Sequence, residues 1–232
     1  MAEEKVYTYK YPHPAVTTDC VIFGYNPRKG LSVLLVKRGV EPYKDSWAIP
    51  GGFIKMDEDA ETSARRELQE ETGFEAKVVE QFGCYSDVHR DPRERVITIA
   101  FFALVPMNEA IRGGDDAAEA HWFPIDGIPS LAFDHDRILR DAMKRLKEQI
   151  HFQPIGFELL PEVFTMPQLQ ALYESILEVK FDRRNFANKM NKLGILTEIG
   201  DRPANTASRI PNRYKFNKDM YDELKKGFRL EF

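Results

Sequence analysis

The stretch GFIKMDEDAETSARRELQEETGF, from Gly52 to Phe74, sets the terms for the rest of the chain. Its second half carries the marks of a helix. Asp59 can cap the N-terminus, Ala60, Ala64 and Leu68 recur at helical spacing, and Gly73 ends the run. On an adjacent face Glu67, Glu70 and Glu71 stand at i, i+3 and i+4, which predicts three converging carboxylates. Each like-charge pair costs a helix roughly 0.2–0.5 kcal/mol, and a cation relieves the repulsion. Hard oxygen ligands suit Mg2+ or Mn2+. Arg66 lies four residues before Glu70 and can orient it, and Glu58 can reach back across the loop. On their own the glutamates describe a solvated acidic face more readily than a metal site.

The surrounding residues reverse that balance. Gly52, five residues, Glu58, seven residues, Arg66, Glu67, Leu68, one residue, Glu70, Glu71, one residue, Gly73 and Phe74 match the Nudix box at every fixed position. On these residues the chain resembles a Nudix protein. The resemblance implies an α/β/α sandwich with a mixed sheet and a metal held by Glu67, Glu70 and Glu71. It also implies that Arg66 and Glu58 belong to the catalytic set, and that water attacks a diphosphate linked to another moiety. The chemistry is consistent: a diphosphate asks for cations that neutralise its oxygens and orient the water. Glu119, matched by position only, is expected as an additional metal ligand or base, with a solvent-facing strand residue as the alternative.

The 232 residues suggest two domains, 1–150 and 151–232. Composition is that of an ordinary globular protein. No apolar run approaches a membrane span, and the acidic, polar start MAEEKVYTYKYPHP lacks a signal-peptide core, so the chain reads as cytoplasmic with no membrane partner. Cys20 and Cys84 lie in apolar runs and are expected as reduced core residues.

Ala15 to Tyr25 and Leu31 to Arg38 read as a hairpin around Asn26 to Gly30. A short strand, Trp47 to Pro50, delivers Gly51 and Gly52, whose small size lets backbone approach a ligand. Further strands are expected over Lys77–Tyr85, Val96–Val105 and His121–Phe123, then a helix from Asp134 or Asp136 to about Gln149. The runs VKRG, WAIPGGF and DVHRDPRERV resemble the Nudix subgroup that handles ADP-ribose and related sugar nucleotides. That resemblance makes Arg90, Arg93 and Arg95 candidates for holding phosphate and ribose beside Gly51 and Gly52; the alternative is a solvated hairpin loop.

Beyond Ile150 the pattern changes. Thr165, Met166, Pro167 and Gln168 form a capping box ahead of an apolar stripe, and Asp182 caps a second helix anchored by Phe186, Met190 and Leu193. Its other side shows Arg183, Arg184, Asn185, Asn188, Lys189 and Lys192. Two strands, Ile195 to Ile199 and Asn212 to Phe216, flank a loop with Arg202 and Arg209. This order is that of a winged helix-turn-helix, with Arg184 and Asn188 able to reach base edges and Lys189, Lys192, Arg202 and Arg209 phosphates. Plain solubility is the alternative use of such charges. LAFDHDRILRDAM, FELLPEVFTMPQLQALYESIL and FDRRNFANKM extend the resemblance over nearly the whole chain, to the Nudix-related transcriptional regulators called the NrtR group. It implies a homodimer that binds a double-stranded DNA operator and senses ADP-ribose, a related nucleoside diphosphate or a sugar effector. The other reading is an ADP-ribose pyrophosphatase whose C-terminal domain makes a non-regulatory contact.

Overall fold

A computed structural model describes residues 7–107, 117–151, 153–200 and 212–224. β-branched and aromatic residues build the central strands: β1 (Ala15–Asn26), β2 (Gly30–Arg38), β3 (Trp47–Ala48) and β4 (Gly51–Phe53) precede α1 (Ala60–Thr72). β5 (Val78–Tyr85), β6 (Val96–Leu104), β7 (Ala117–Pro124) and α2 (His135–Gln149) follow. The seven strands form one sheet, in which β1 runs parallel to β6 and antiparallel to β2 and β4. β4 borrows the first half of β1, at Thr17 to Asp19, and β2 takes the second half, from Ile22 onward.

Strand alternation sorts the core into two layers. Cys20, Ile22, Leu34, Phe101 and Ala103 meet Ala64 and Leu68 of α1. Val21, Phe23, Leu35, Phe102 and Leu104 face the other way, toward Ile138, Leu139, Ala142 and Leu146 of α2. The result is the expected α/β/α sandwich. The strand expected over Trp47 to Pro50 divides in two, and Gly51 and Gly52 are themselves strand residues paired with β1. Cys20 is buried and its thiol is pushed up to about 12, chiefly by burial. Cys84 is exposed, contrary to expectation, because β5 ends the strand order, paired only with β6 among the described residues.

After Ile150, β8 (Phe164–Thr165), α3 (Met166–Leu177), α4 (Arg183–Lys192), β9 (Leu196–Ile199), β10 (Arg213–Phe216) and α5 (Lys218–Leu224) build a second unit with a three-stranded sheet in the order β8-β10-β9. Both halves of the capping box at Thr165 and Gln168 are formed. Glu174 ties the turn between α3 and α4 together. It accepts from Gln170, the Phe181 backbone and Lys180, bonds that pull its carboxyl down to about 2.

One apolar cluster runs without a break from the α2 side of the sheet into the winged helix, joining Tyr25, Leu31 and Ile150 to Phe157, Leu172 and Ile176. At its edge the Leu31 amide donates to Ser175 Oγ at 2.9 Å, and Lys147 pairs with Glu178 at 2.8 Å. Ser175→Ala strips the partly buried Leu31 amide of its acceptor, which costs about 1–3 kcal/mol. Denaturant unfolding of the whole chain should register this loss.

Candidate functional site

The glycine pair holds the box helix against the sheet. A Cβ on Gly51 would sit 2.1 Å from the Thr18 carbonyl, and one on Gly52 would sit 2.3 Å from Glu67 Oε1. Backbone leaves room only for hydrogen at Gly51, whereas a side chain at Gly52 would have to displace the Glu67 carboxylate. The Gly51 amide donates to Glu71 Oε2 at 3.0 Å, so the last box glutamate is fixed by the strand. Asp59 caps α1 through the Thr62 amide, and Gly73 ends it in the left-handed region at φ 74°.

Arg66 is the hub of the box. Its guanidinium donates to Glu58 at 2.6 and 2.9 Å, to Glu67 at 2.6 Å and to Glu70 at 2.9 Å. The Glu58 bonds raise its own affinity for the proton furthest, and the same bonds lower the Glu58 pKa. Burial pushes Glu67 up despite Arg66. Glu67 and Glu71 line a cavity of about 470 Å3, whereas the Glu70 side chain is 55% exposed and does not. Among the described residues no three acids meet as a metal-holding group. The expected convergence is therefore modified: the three glutamates share a helix face, and Arg66 spans Glu67 and Glu70. The set still fits a divalent cation in its chemistry, since three hard carboxylate donors, the half-buried Glu67 among them, share the one guanidinium of Arg66.

Across the cavity, Arg90 is 8% exposed. It donates to Asp134 at 2.7 and 3.2 Å and reaches Asp19, in the middle of β1, at 3.3 Å. Burial disfavours its charge, but Asp134 and Asp19 outweigh that and raise its pKa. His135 completes the group: its Nδ1 accepts from the Ile49 amide at 3.0 Å, and its Nε2 faces Asp19 at 3.8 Å. Asp134 occupies the N-cap position of α2, but its side chain makes no cap bond because Arg90 has it.

Of the arginines expected to hold the ligand, Arg90 and Arg93 border the cavity. Arg90 is already committed to two carboxylates, so it braces the wall. Arg93 is held by Asp91 at 2.8 and 3.1 Å. Arg95 points elsewhere and donates to the Ser86 and Asp87 carbonyls at 2.9 and 3.1 Å, stapling its own loop. Glu119 lies on β7 within 3.8 Å of Lys37 and 3.5 Å of His121, and it does not border the cavity. Sequence reasoning passed over Asp19, Arg38, Phe53, Lys55, Phe133 and His135, all of which do. The quoted runs VKRG, WAIPGGF and LAFDH contained four of them, but their convergence depends on pairing distant segments.

On α4, Phe186 and Met190 are buried, while Arg183, Arg184, Asn185, Asn188 and Lys192 are exposed and Lys189 is half-buried. Asp182 caps this helix through the Asn185 amide. Arg202 and Arg209 lie outside the described residues.

The NUDIX domain family matches residues 13–146. The chain belongs to the NUDIX family. This Nudix chain also carries an NrtR DNA-binding winged helix domain at residues 156–216. It is 31% identical over 216 residues to the "ADPR responsive transcriptional repressor NtrR" of Acinetobacter baylyi, covering 91% of this chain and 86% of that one. It is 43% identical over 134 residues to the "ADP-ribose pyrophosphatase" of Methanocaldococcus jannaschii, covering 58% of this chain and 76% of that one. Among solved structures, Shewanella oneidensis NrtR complexed with a 27mer DNA matches at TM-score 0.76 and 28% identity, over 93% of this chain and 97% of that one. The Nudix domain of the same Shewanella protein complexed with ADP ribose matches at TM-score 0.54 and 31% identity, over 60% of this chain and 94% of that one.

The buried histidine makes the Nudix fold sensitive to acid. Burial holds the His135 pKa below its ordinary 6.5. As pH falls, the unfolded chain therefore takes up this proton first. The stability that rests on a neutral His135 is complete above about 6.5 and declines below it. Thermal midpoints measured from pH 7.5 down to 5 should fall in wild type. The fall should be shallower in His135→Asn, which keeps an acceptor for Ile49 but cannot gain a proton.

Proposed function

We propose that this chain is a DNA-binding transcriptional regulator whose Nudix domain, residues 1–150, binds ADP-ribose or a related nucleoside diphosphate derivative, and whose residues 151–232 read the DNA. One observation carries the reading. A cavity bordered by box glutamates and a winged helix with an exposed Arg184 and Asn188 sit on one continuous apolar core, so a change at the first site has a mechanical route to the second. The ADPR-responsive repressor NtrR and the Shewanella NrtR complexes with DNA and with ADP ribose support it. Association with DNA is the basis for reading the protein as cytoplasmic.

The unbroken box supports retained hydrolysis, and the pyrophosphatase relative points to ADP-ribose as substrate, with AMP and ribose 5-phosphate as products. Glu67, Glu70 and Glu71 would hold Mg2+ or Mn2+. A cation there would supply positive charge for the diphosphate oxygens and a more acidic water for the attack. The protein's own part is positional. Gly51 and Gly52 bring the strand up against Glu67 and Glu71, Arg66 keeps Glu58, Glu67 and Glu70 aligned, and Lys55 and Arg38 add positive charge around the cavity, where Arg93 is already paired with Asp91. Glu71→Gln should lower turnover by orders of magnitude with little change in volume, and a chelator should abolish it in wild type. Product assays on ADP-ribose with Mg2+ would check both; metal-independent or absent turnover would leave the sensor alone.

A winged helix buries little surface, so a homodimer on a near-palindromic site is the form that gives tight binding. Arg184 and Asn188 would reach base edges, and Lys189 and Lys192 phosphates, with Arg202 and Arg209 joining them from the wing loop. In titrations of an operator fragment, Arg184→Ala should cost about 1–3 kcal/mol and relax sequence preference. ADP-ribose should change DNA affinity, and DNA should change ADP-ribose affinity by the same factor. Equal binding of all fragments by wild type and variant would refute sequence-specific regulation.

A further inference from the structure

The turn that joins β1 to β2 reaches the winged helix. Gly30 closes this turn at φ 75°, and a Cβ on it would lie 3.3 Å from Ser175 Oγ of α3. Leu31, the next residue, donates its amide to the same hydroxyl. Beside Ser175 on α3, Glu174 holds Lys180 at 2.9 Å and the Phe181 amide at 3.0 Å, and Asp182 then caps α4. The Nudix hairpin, the α3–α4 turn and the first turn of α4 are thereby gathered at one end of the winged helix. The hairpin turn carries two exposed cations, Arg28 and Lys29. Their backbone is fixed: the Arg28 amide donates to Asn26 Oδ1 at 2.8 Å and the Lys29 amide to the Asn26 carbonyl at 3.1 Å. Neither side chain forms an ion pair among the described residues, whereas the two acids at that end of α3 are both matched, Glu174 by Lys180 and Glu178 by Lys147. With Arg183 and Arg184 opening α4, the end surface holds more positive charge than its own acids compensate.

We propose that Arg28 and Lys29 give the Nudix domain a DNA contact of its own, on backbone phosphates flanking the groove that α4 enters. The inference rests on the reading that residues 151–232 bind DNA. In helix-turn-helix docking the start of the reading helix contacts base edges while its neighbours cross the phosphate backbone, so cations fixed beside that start meet phosphates. Such contacts add affinity and set orientation without reading sequence. The hairpin strands also run back to the cavity, which Asp19 of β1 and Val36, Lys37 and Arg38 of β2 border. The same two strands therefore carry the effector site at one end and this phosphate contact at the other.

The test is a set of anisotropy titrations of the full chain with an operator fragment and a scrambled fragment of equal length, at salt concentrations from about 50 to 200 mM. The proteins are wild type, Arg28→Ala, Lys29→Ala and Lys44→Ala, the last removing an exposed cation beyond the far end of β2. Arg28→Ala and Lys29→Ala should each weaken both fragments by the same factor and reduce the steepness of log affinity against log salt by about 0.9. Lys44→Ala should match wild type. Both turn residues are exposed, so thermal midpoints of the variants should stay at the wild-type value. Wild type that binds DNA while both turn variants keep its salt dependence overturns the contact and spares the functional reading. So does a reduction by Lys44→Ala as large as theirs, because charge anywhere on the domain would then serve, and so does a loss confined to the operator fragment. Wild type that binds neither fragment removes the functional reading, and this inference with it.

Discussion

Asp19 carries a charge in the middle of the central strand, and the architecture around the cavity follows from how that charge is compensated. A buried carboxylate is tolerated only with a close cation or donors. Here Arg90 supplies the cation from the loop between β5 and β6 and shares it with Asp134 at the head of α2. His135 then bridges to the Ile49 amide, just before the glycine pair. Three segments far apart in sequence are thereby fixed to β1: the β5–β6 loop, the start of α2 and the approach to β4. Breaking such a pair by removing one member typically costs about 3–5 kcal/mol, far more than an exposed ion pair contributes.

The opposite wall is arranged around Arg66, with a different balance. There acids exceed cations, and the excess sits where the backbone is thinned to glycine. Three carboxylates, Glu58, Glu67 and Glu70, share the single guanidinium of Arg66 on that wall. The two walls therefore divide the work: Asp19, Arg90 and Asp134 neutralise one another and give rigidity, while Glu67, Glu70 and Glu71 retain a demand for positive charge.

The same α2 that begins at this cavity ends on the winged helix. Its head is held by Arg90 and Ile49, and its tail places Lys147 against Glu178 and Ile150 among Phe157, Leu172 and Ile176. Because a packed core transmits displacement instead of absorbing it, an occupant that shifts the head of this helix bears on the unit that presents α4.

Local signals settled a good deal from sequence alone. The helix period, Asp59 and Gly73 located α1, and the Thr165–Gln168 box and Asp182 located α3 and α4, because caps and periodicity act within a turn or two of the chain. The box spacing placed Glu58, Arg66, Glu67, Glu70 and Glu71 on one small surface for the same reason. What local patterning could not say is where an arginine's charge is consumed. Arg90, Arg93 and Arg95 look alike in a polar loop, yet one is buried against Asp19 and Asp134, one is folded onto Asp91, and one staples carbonyls. Glu119 likewise turned to Lys37 and His121, and Cys84 to solvent, because strand order decides what each side chain faces. The sequence by itself thus determined α1, α3, α4 and the box, all governed by short-range geometry. Only the tertiary structure decided the partners of Asp19 and the joining of the two domains, because those depend on which distant segments the sheet brings together.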